Sequence, residues 1–104
     1  MTVQGMQTYM YLFKPRRERF LETMTPGETA AMGGHAAYSG TLHKEGRLVM
    51  AGACADGSYG IIVFRATSPE EAERIFRADP AVQADIVDAE LSPFRIMAMR
   101  GMDG

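Results

Sequence analysis

The segment Met32-Gly33-Gly34-His35-Ala36-Ala37-Tyr38 carries the side chains best suited to chemistry. An imidazole titrates near neutrality and moves protons, and a phenol three residues on can donate to a developing oxyanion. His35, Tyr38 and Leu42 recur at i, i+3 and i+7, with Ala31 one turn earlier. On a helix they form one stripe, and that stripe should face a sheet. Two adjacent glycines inside such a helix cost about 1 kcal/mol each relative to alanine. Close packing, or room for a ligand, should justify Gly33 and Gly34. His35 fits a core histidine with a backbone partner as well as it fits a proton carrier, and spacing alone leaves both readings open. Asp79, in Asp79-Pro80, is the second candidate, and in isolation it fits best as the cap of a turn beginning at Pro80.

The other candidates have simpler accounts. Asp56 suits a turn, Asp88 and Glu90 a solvated strand face, and the glutamates near residue 71 surface ion pairs. His43 lies near a helix end, where a cation complements the dipole. Cys54 sits in an apolar run with no adjacent cation to make a thiolate. His35 and His43, eight residues apart, are two helical turns from one another and too far to share a metal. No phosphate-binding loop, dinucleotide fingerprint, HExxH or GxSxG pattern is present, so no metal or other cofactor is expected.

Two helices and four strands must position these residues. The run MQTYMYLF (6–13) reads as a strand buried on both faces, closed by Lys14-Pro15. A short charged stretch, RRERFLETM, has room for one or two helical turns. Thr25-Pro26-Gly27-Glu28 then supplies a cap, a first-turn proline and the acid of a capping box. That helix should span 26–45 and stop at Gly46. Strands at 47–54 and 58–66 flank Asp56-Gly57, a type I′ hairpin signal. Ser68-Pro69-Glu70-Glu71 opens a second capped helix with Ala72, Ile75 and Phe76 inward and Glu70–Arg74 and Glu73–Arg77 pairs outward. Asp79-Pro80 closes it and starts a short turn of helix to Gln83. The last strand should run 86–99, with Val87, Ala89 and Leu91 inward and a bend at Ser92-Pro93. The tail 101–104 should fray.

The order β-α-β-β-α-β is the ferredoxin-like α+β pattern: a four-stranded antiparallel sheet with both helices on one face. Apolar residues populate both sheet faces, yet two helices cover only one. A homodimer, two sheets packed face to face, is the expected cover for the other.

The chain has 104 residues, room for one domain with its core at about 6–98. Apolar residues at 46% and charged ones at 23% describe a folded chain. Lys and Arg number 11 against 13 Asp and Glu, for a net charge of −2, which argues against nucleic acid as a partner. One cysteine excludes an internal disulfide and a Cys-rich zinc site. No apolar stretch is long enough for a membrane span, and MTVQGMQTYM lacks the features of a signal peptide, so a cytoplasmic protein is expected. Nine methionines and no tryptophan mean a core of adaptable side chains.

The run from His35 through Leu42-His43-Lys44-Glu45-Gly46-Arg47-Leu48 to Ala51-Gly52 resembles a segment of the YciI-like (YCII-related) proteins. Gly57-Ser58, Ser68-Pro69-Glu70-Glu71-Ala72, Asp79-Pro80 and Ser92-Pro93-Phe94 follow in that family's order, and the likeness spans about 6–98. The resemblance implies a dimeric α/β barrel built from ferredoxin-like protomers, with a pocket holding the helix histidine and the Asp-Pro aspartate, here His35 and Asp79. Two positions depart from the commoner pattern. Gly52-Ala53 stands for Gly-Pro, and Thr29 to Met32 holds no arginine where one often precedes the histidine. Arg95 or Arg47 is then the candidate for contacting an anion. The resemblance further implies small-molecule chemistry, since a relative eliminates chloride from a chlorinated hydroxyquinol.

Three functions are therefore expected. In the first, a cofactor-independent enzyme moves a proton in an isomerisation or elimination on a small aromatic or acidic metabolite, with His35 as base or acid, Asp79 fixing its tautomer and Tyr38 as oxyanion donor. In the second, the same pocket binds a small ligand without turnover. In the third, a dimeric accessory domain needs no ligand.

Overall fold

The computed structural model describes residues 5–101. Strand β1 (Gln7–Pro15) is followed by a single helical turn, α1 (Phe20–Thr23), and the long helix α2 (Pro26–Lys44). Strands β2 (Leu48–Ala53) and β3 (Gly60–Ala66) form a hairpin, then α3 (Pro69–Arg77), the short α4 (Pro80–Gln83) and β4 (Val87–Pro93) complete the order. The sheet order is β2-β3-β1-β4, antiparallel throughout, which is the ferredoxin-like α+β fold.

The helix starts follow from local chemistry. The Thr25 hydroxyl accepts from the Glu28 N–H at 3.1 Å, and the Glu28 carboxylate accepts from the Thr25 N–H at 2.8 Å, a complete capping box. The Ser68 hydroxyl accepts from the Glu71 N–H at 3.0 Å. The Glu71 carboxylate, however, accepts from Thr67 N–H and pairs with Arg47, tying α3 to the start of β2. Helix α2 ends as expected, with Gly46 at φ +76° just beyond it.

Four local expectations are corrected. Strand β1 buries only Tyr9, Tyr11 and Phe13, the alternate residues remaining half-buried, and it continues through Lys14 and Pro15 because β4 pairs with both. The hairpin is not type I′. Only Gly57 has positive φ, and a four-residue loop, 55–58, links Cys54 to Tyr59, with the Asp56 carboxylate accepting from the Ser58 N–H. Strand β4 stops at Pro93, opposite Tyr9. Its partner β1 begins at Gln7, so beyond the Phe94 N–H, which donates to the Thr8 carbonyl, little strand is left to pair with. On the outer face of α3, Arg77 pairs with Glu73, but among the described residues no Glu70–Arg74 pair forms. The expected frayed tail lies, beyond Gly101, outside the described residues.

The core sits between sheet and helices. Tyr9, Tyr11, Phe13, Ile62, Phe64 and Ala66 point to one side, against Leu42, Ala72, Phe76 and Ala81. By the two-residue period of strands, Met10, Leu12, Ile61 and Val63 point to the other side, which no helix among the described residues covers. No helix among the described residues is long and apolar enough to cross a membrane.

Candidate functional site

His35 and Asp79, distant in sequence, meet between α2 and the start of α4. His35 Nδ1 lies 2.7 Å from Asp79 Oδ2. The same oxygen accepts from the Tyr11 hydroxyl at 2.6 Å, while Oδ1 accepts from the Ala81 N–H at 2.9 Å. Asp79 is therefore a helix cap and a histidine partner at once. It is fully buried, and His35 keeps 9% of its surface.

Two glycines make this meeting sterically feasible. A Cβ on Gly34 would stand 2.9 Å from Pro80 Cβ, so only glycine lets α2 approach the Asp79-Pro80 corner closely. A Cβ on Gly60 would run into the Phe13 ring and come within 3.0 Å of the Gly52 carbonyl oxygen. Phe13 uses that space and sets its ring against the imidazole, centroids 4.6 Å apart and planes at 65°. The His35 ring is thus held on one side by a hydrogen bond and on another by an aromatic edge contact. Among the described residues Gly33 has no such neighbour within 4 Å. Close packing accounts for Gly34 and leaves Gly33 without a steric reason.

The electrostatics favour an ionised acid. Burial alone would push the Asp79 carboxyl up, but hydrogen bonds from His35 and Tyr11, then the His35 charge, carry it below its ordinary value. Burial raises the Tyr11 phenol, and the adjacent Asp79 raises it further, so Tyr11 stays a donor. An ionised Asp79 requires the proton of a neutral His35 to sit on Nδ1, which leaves the lone pair on Nε2. Among the described residues Nε2 has no hydrogen-bond partner, and no buried polar side-chain atom lacks one. Nε2 is therefore at the solvent-reachable edge of a side chain that is 11% exposed. The arrangement can take up or release one proton at one oriented nitrogen.

Tyr38 lies near the pair but is not hydrogen-bonded to it. Its hydroxyl donates to the Ile75 carbonyl at 2.8 Å, bracing α2 against α3, so its proton is already committed. Of the two arginines considered for anion contact, Arg47 is bound to Glu71, and Arg95 lines an open cleft of about 630 Å³ with Arg65 and Phe94. That cleft and a second of the same volume, between α1 and the 55–58 loop, include neither His35 nor Asp79. Among the described residues no three His, Cys, Asp or Glu side chains cluster as a metal site.

A family model described as the YCII-related domain matches residues 8–95, from the first strand to just beyond the last. The chain belongs to the YCII-related family. No curated protein matches it. Among solved structures it is similar to 5-chloro-2-hydroxyhydroquinone dehydrochlorinase (TftG) from Burkholderia phenoliruptrix AC1100, in complex with 2,5-dihydroxybenzoquinone. The TM-score is 0.61 over 84% of this chain and 93% of that one, with 14% identity, a likeness of fold.

Sequence reasoning missed Tyr11, Phe13 and Gly60 as parts of the site. One signal was available for Tyr11. A tyrosine on the helix-facing side of a central strand must find a partner for its hydroxyl, and Asp79 was the acid without a surface role.

Proposed function

We propose that this chain is a small enzyme that moves a proton, in an elimination or isomerisation, on a hydroxylated aromatic or acidic metabolite. The observation that carries the reading is the oriented His35, bonded at Nδ1 to a buried carboxylate and, among the described residues, unpartnered at Nε2. Nε2 takes a proton from an acidic C–H or O–H of the substrate. From a C–H, the electron pair left behind forms a C=C bond as an anion leaves the neighbouring carbon and the imidazolium passes its proton to water. Alternatively, Nε2 returns the proton at a second position to give the isomer. Asp79 stabilises the imidazolium formed in between. These steps call for proton transfer alone. Tyr38 enters by holding α2 in place.

The substrate class draws support from the structural neighbour, a dehydrochlorinase of a chlorinated hydroxyquinol seen with a dihydroxybenzoquinone. Two compounds make the test. Chloride release from 5-chloro-2-hydroxyhydroquinone measures turnover, and a calorimetric titration with 2,5-dihydroxybenzoquinone measures binding. The proposal expects both from the wild-type chain, and expects His35→Ala to keep binding while losing turnover at least 100-fold, in line with general-base catalysis at about 10²–10⁴. Binding without turnover in the wild-type chain would instead support a non-catalytic ligand-binding module. Neither binding nor turnover would overturn the aromatic substrate class.

We also propose that the functional unit is a homodimer through the helix-free sheet face. Met10, Leu12 and Ile61 are only half-buried and Met50 is 47% exposed on or beside that face. Apolar side chains at this density need a cover.

A further inference from the structure

Tyr11 occupies the centre of the sheet, paired with Ile62 on one side and Leu91 on the other, and none of its surface is exposed. Its ring packs edge-on against Phe64 and Phe76, with centroids 5.9 and 5.0 Å away. A phenylalanine would serve that packing equally well. Among the described residues the hydroxyl has a single hydrogen bond, to Asp79 Oδ2, the oxygen that also receives His35 Nδ1.

We infer that Tyr11 is a positioning residue that acts through Asp79 to hold His35 in the tautomer with a free Nε2. The inference rests on the reading of His35 as the proton-transfer residue and adds a third member to that pair. Three donors converge on one carboxylate: the Tyr11 O–H and His35 Nδ1–H on Oδ2, and the Ala81 N–H on Oδ1. Removing the Tyr11 donor leaves Oδ2 with one bond and a more basic carboxylate. The carboxyl group then gains freedom to turn about its last torsion, because Ala81 alone grips its far oxygen. Greater basicity by itself favours the Nδ1 proton, so it is the freedom to turn away from the ring that releases the demand for a proton on Nδ1. The titratable groups facing Asp79 are His35 and Tyr38 from α2 and Tyr11 from β1. Tyr38 is bonded to Ile75, so it cannot take over the vacated position without giving up that bond.

The test uses the full chain without ligand. Long-range ¹H–¹⁵N spectra read the His35 tautomer at a pH where the ring is neutral, and carboxyl ¹³C shifts follow the Asp79 titration. In the wild-type chain the proton should reside on Nδ1. Tyr11→Phe should give a mixture of the two tautomers and move the Asp79 titration upward by about one pH unit, the size expected for one lost hydrogen bond to a charged group. An unchanged tautomer and an unchanged Asp79 titration would overturn the inference, leaving Tyr11 a core residue whose loss affects stability alone. Should Tyr11→Phe fail to fold, difluorotyrosine placed at position 11 keeps shape and hydroxyl while strengthening the donor. It should lower the Asp79 titration, and no movement would overturn the inference. These readouts involve no substrate, so they fail or succeed separately from the turnover measured in the His35→Ala variant.

Discussion

At the scale of the residue, Asp79 combines roles that are usually divided. Its Oδ1 caps α4 and its Oδ2 serves His35 and Tyr11. Asparagine caps about as well as aspartate, so Asp79→Asn should keep the fold. The amide can present N–H donors where a carboxylate had only acceptors, and the neutral His35 would then accept at Nδ1 and carry its proton on Nε2. We predict that Asp79→Asn loses turnover at least as far as His35→Ala while remaining folded, as judged by circular dichroism and the ring ¹⁵N shifts. The acid dependence follows from sign. The Asp79 carboxyl titrates below its ordinary value, so its stabilisation is fully present above the unfolded value of about 3.9 and is lost as pH falls through the lower folded value. Urea midpoints should therefore favour the wild-type chain over Asp79→Asn at pH 7, with the gap closing below about pH 4. A gap independent of pH would mean the carboxylate contributes no charge-dependent stability.

At the scale of the element, the two glycines of α2 should part company. Gly33 meets nothing within 4 Å, so Gly33→Ala should stabilise the chain by up to about 1 kcal/mol, the helix-propensity difference. Gly34→Ala would drive a methyl into Pro80 and push α4 outward, destabilising the chain and breaking the His35–Asp79 contact. Thermal unfolding of both variants, with the His35 ring shifts as local reporter, measures the difference. The cap of α2 has its own acid signature. The Arg17 guanidinium and the Thr25 backbone hold the Glu28 carboxyl down to about 2. Its contribution is present above the ordinary glutamate value of about 4.3 and disappears as pH falls through about 2. Glu28→Gln should flatten the loss of stability across that interval, and Thr25→Ala should cost about 1 kcal/mol at neutral pH.

At the scale of the whole molecule, one sheet face is fully used and the other is not. Ile62 and Phe64 point into the core, while the intervening Ile61 and Val63 point to the helix-free side beside Met10 and Leu12. If that side is the dimer face, a charge there must be buried without a partner, at a cost large against a typical association energy. Ile61→Glu should convert a wild-type dimer to monomer in sedimentation velocity at micromolar concentration, leaving the helix-facing core and the His35 shifts intact. A wild-type chain that sediments as monomer under those conditions would overturn the proposed dimer.

Local chemistry determined a great deal here. Thr25-Pro26-Gly27-Glu28 and Ser68-Pro69 place the two long helices because capping is satisfied within four residues of chain. The alternation of β4 and the stripe His35, Tyr38, Leu42 assign faces, since strand and helix periods are set by the backbone alone. The family resemblance named His35 and Asp79 as a pair, and the β-α-β-β-α-β order, with α2 and the Asp79 corner on one side of one sheet, allowed them to meet. What lay beyond the sequence is whatever depends on distances between separate elements. The Asp56-Gly57 pair carried a turn signal, but loop length and the Asp56 side chain chose the turn. Spacing placed Tyr38 beside His35, yet its hydroxyl found the Ile75 carbonyl across an interhelix gap that no local pattern encodes. Tyr11 reached Asp79, and Gly34 and Gly60 admitted Pro80 and Phe13, only once packing had fixed separations to fractions of an ångström. Sequence sets which groups share a face; close packing between elements decides which atoms touch.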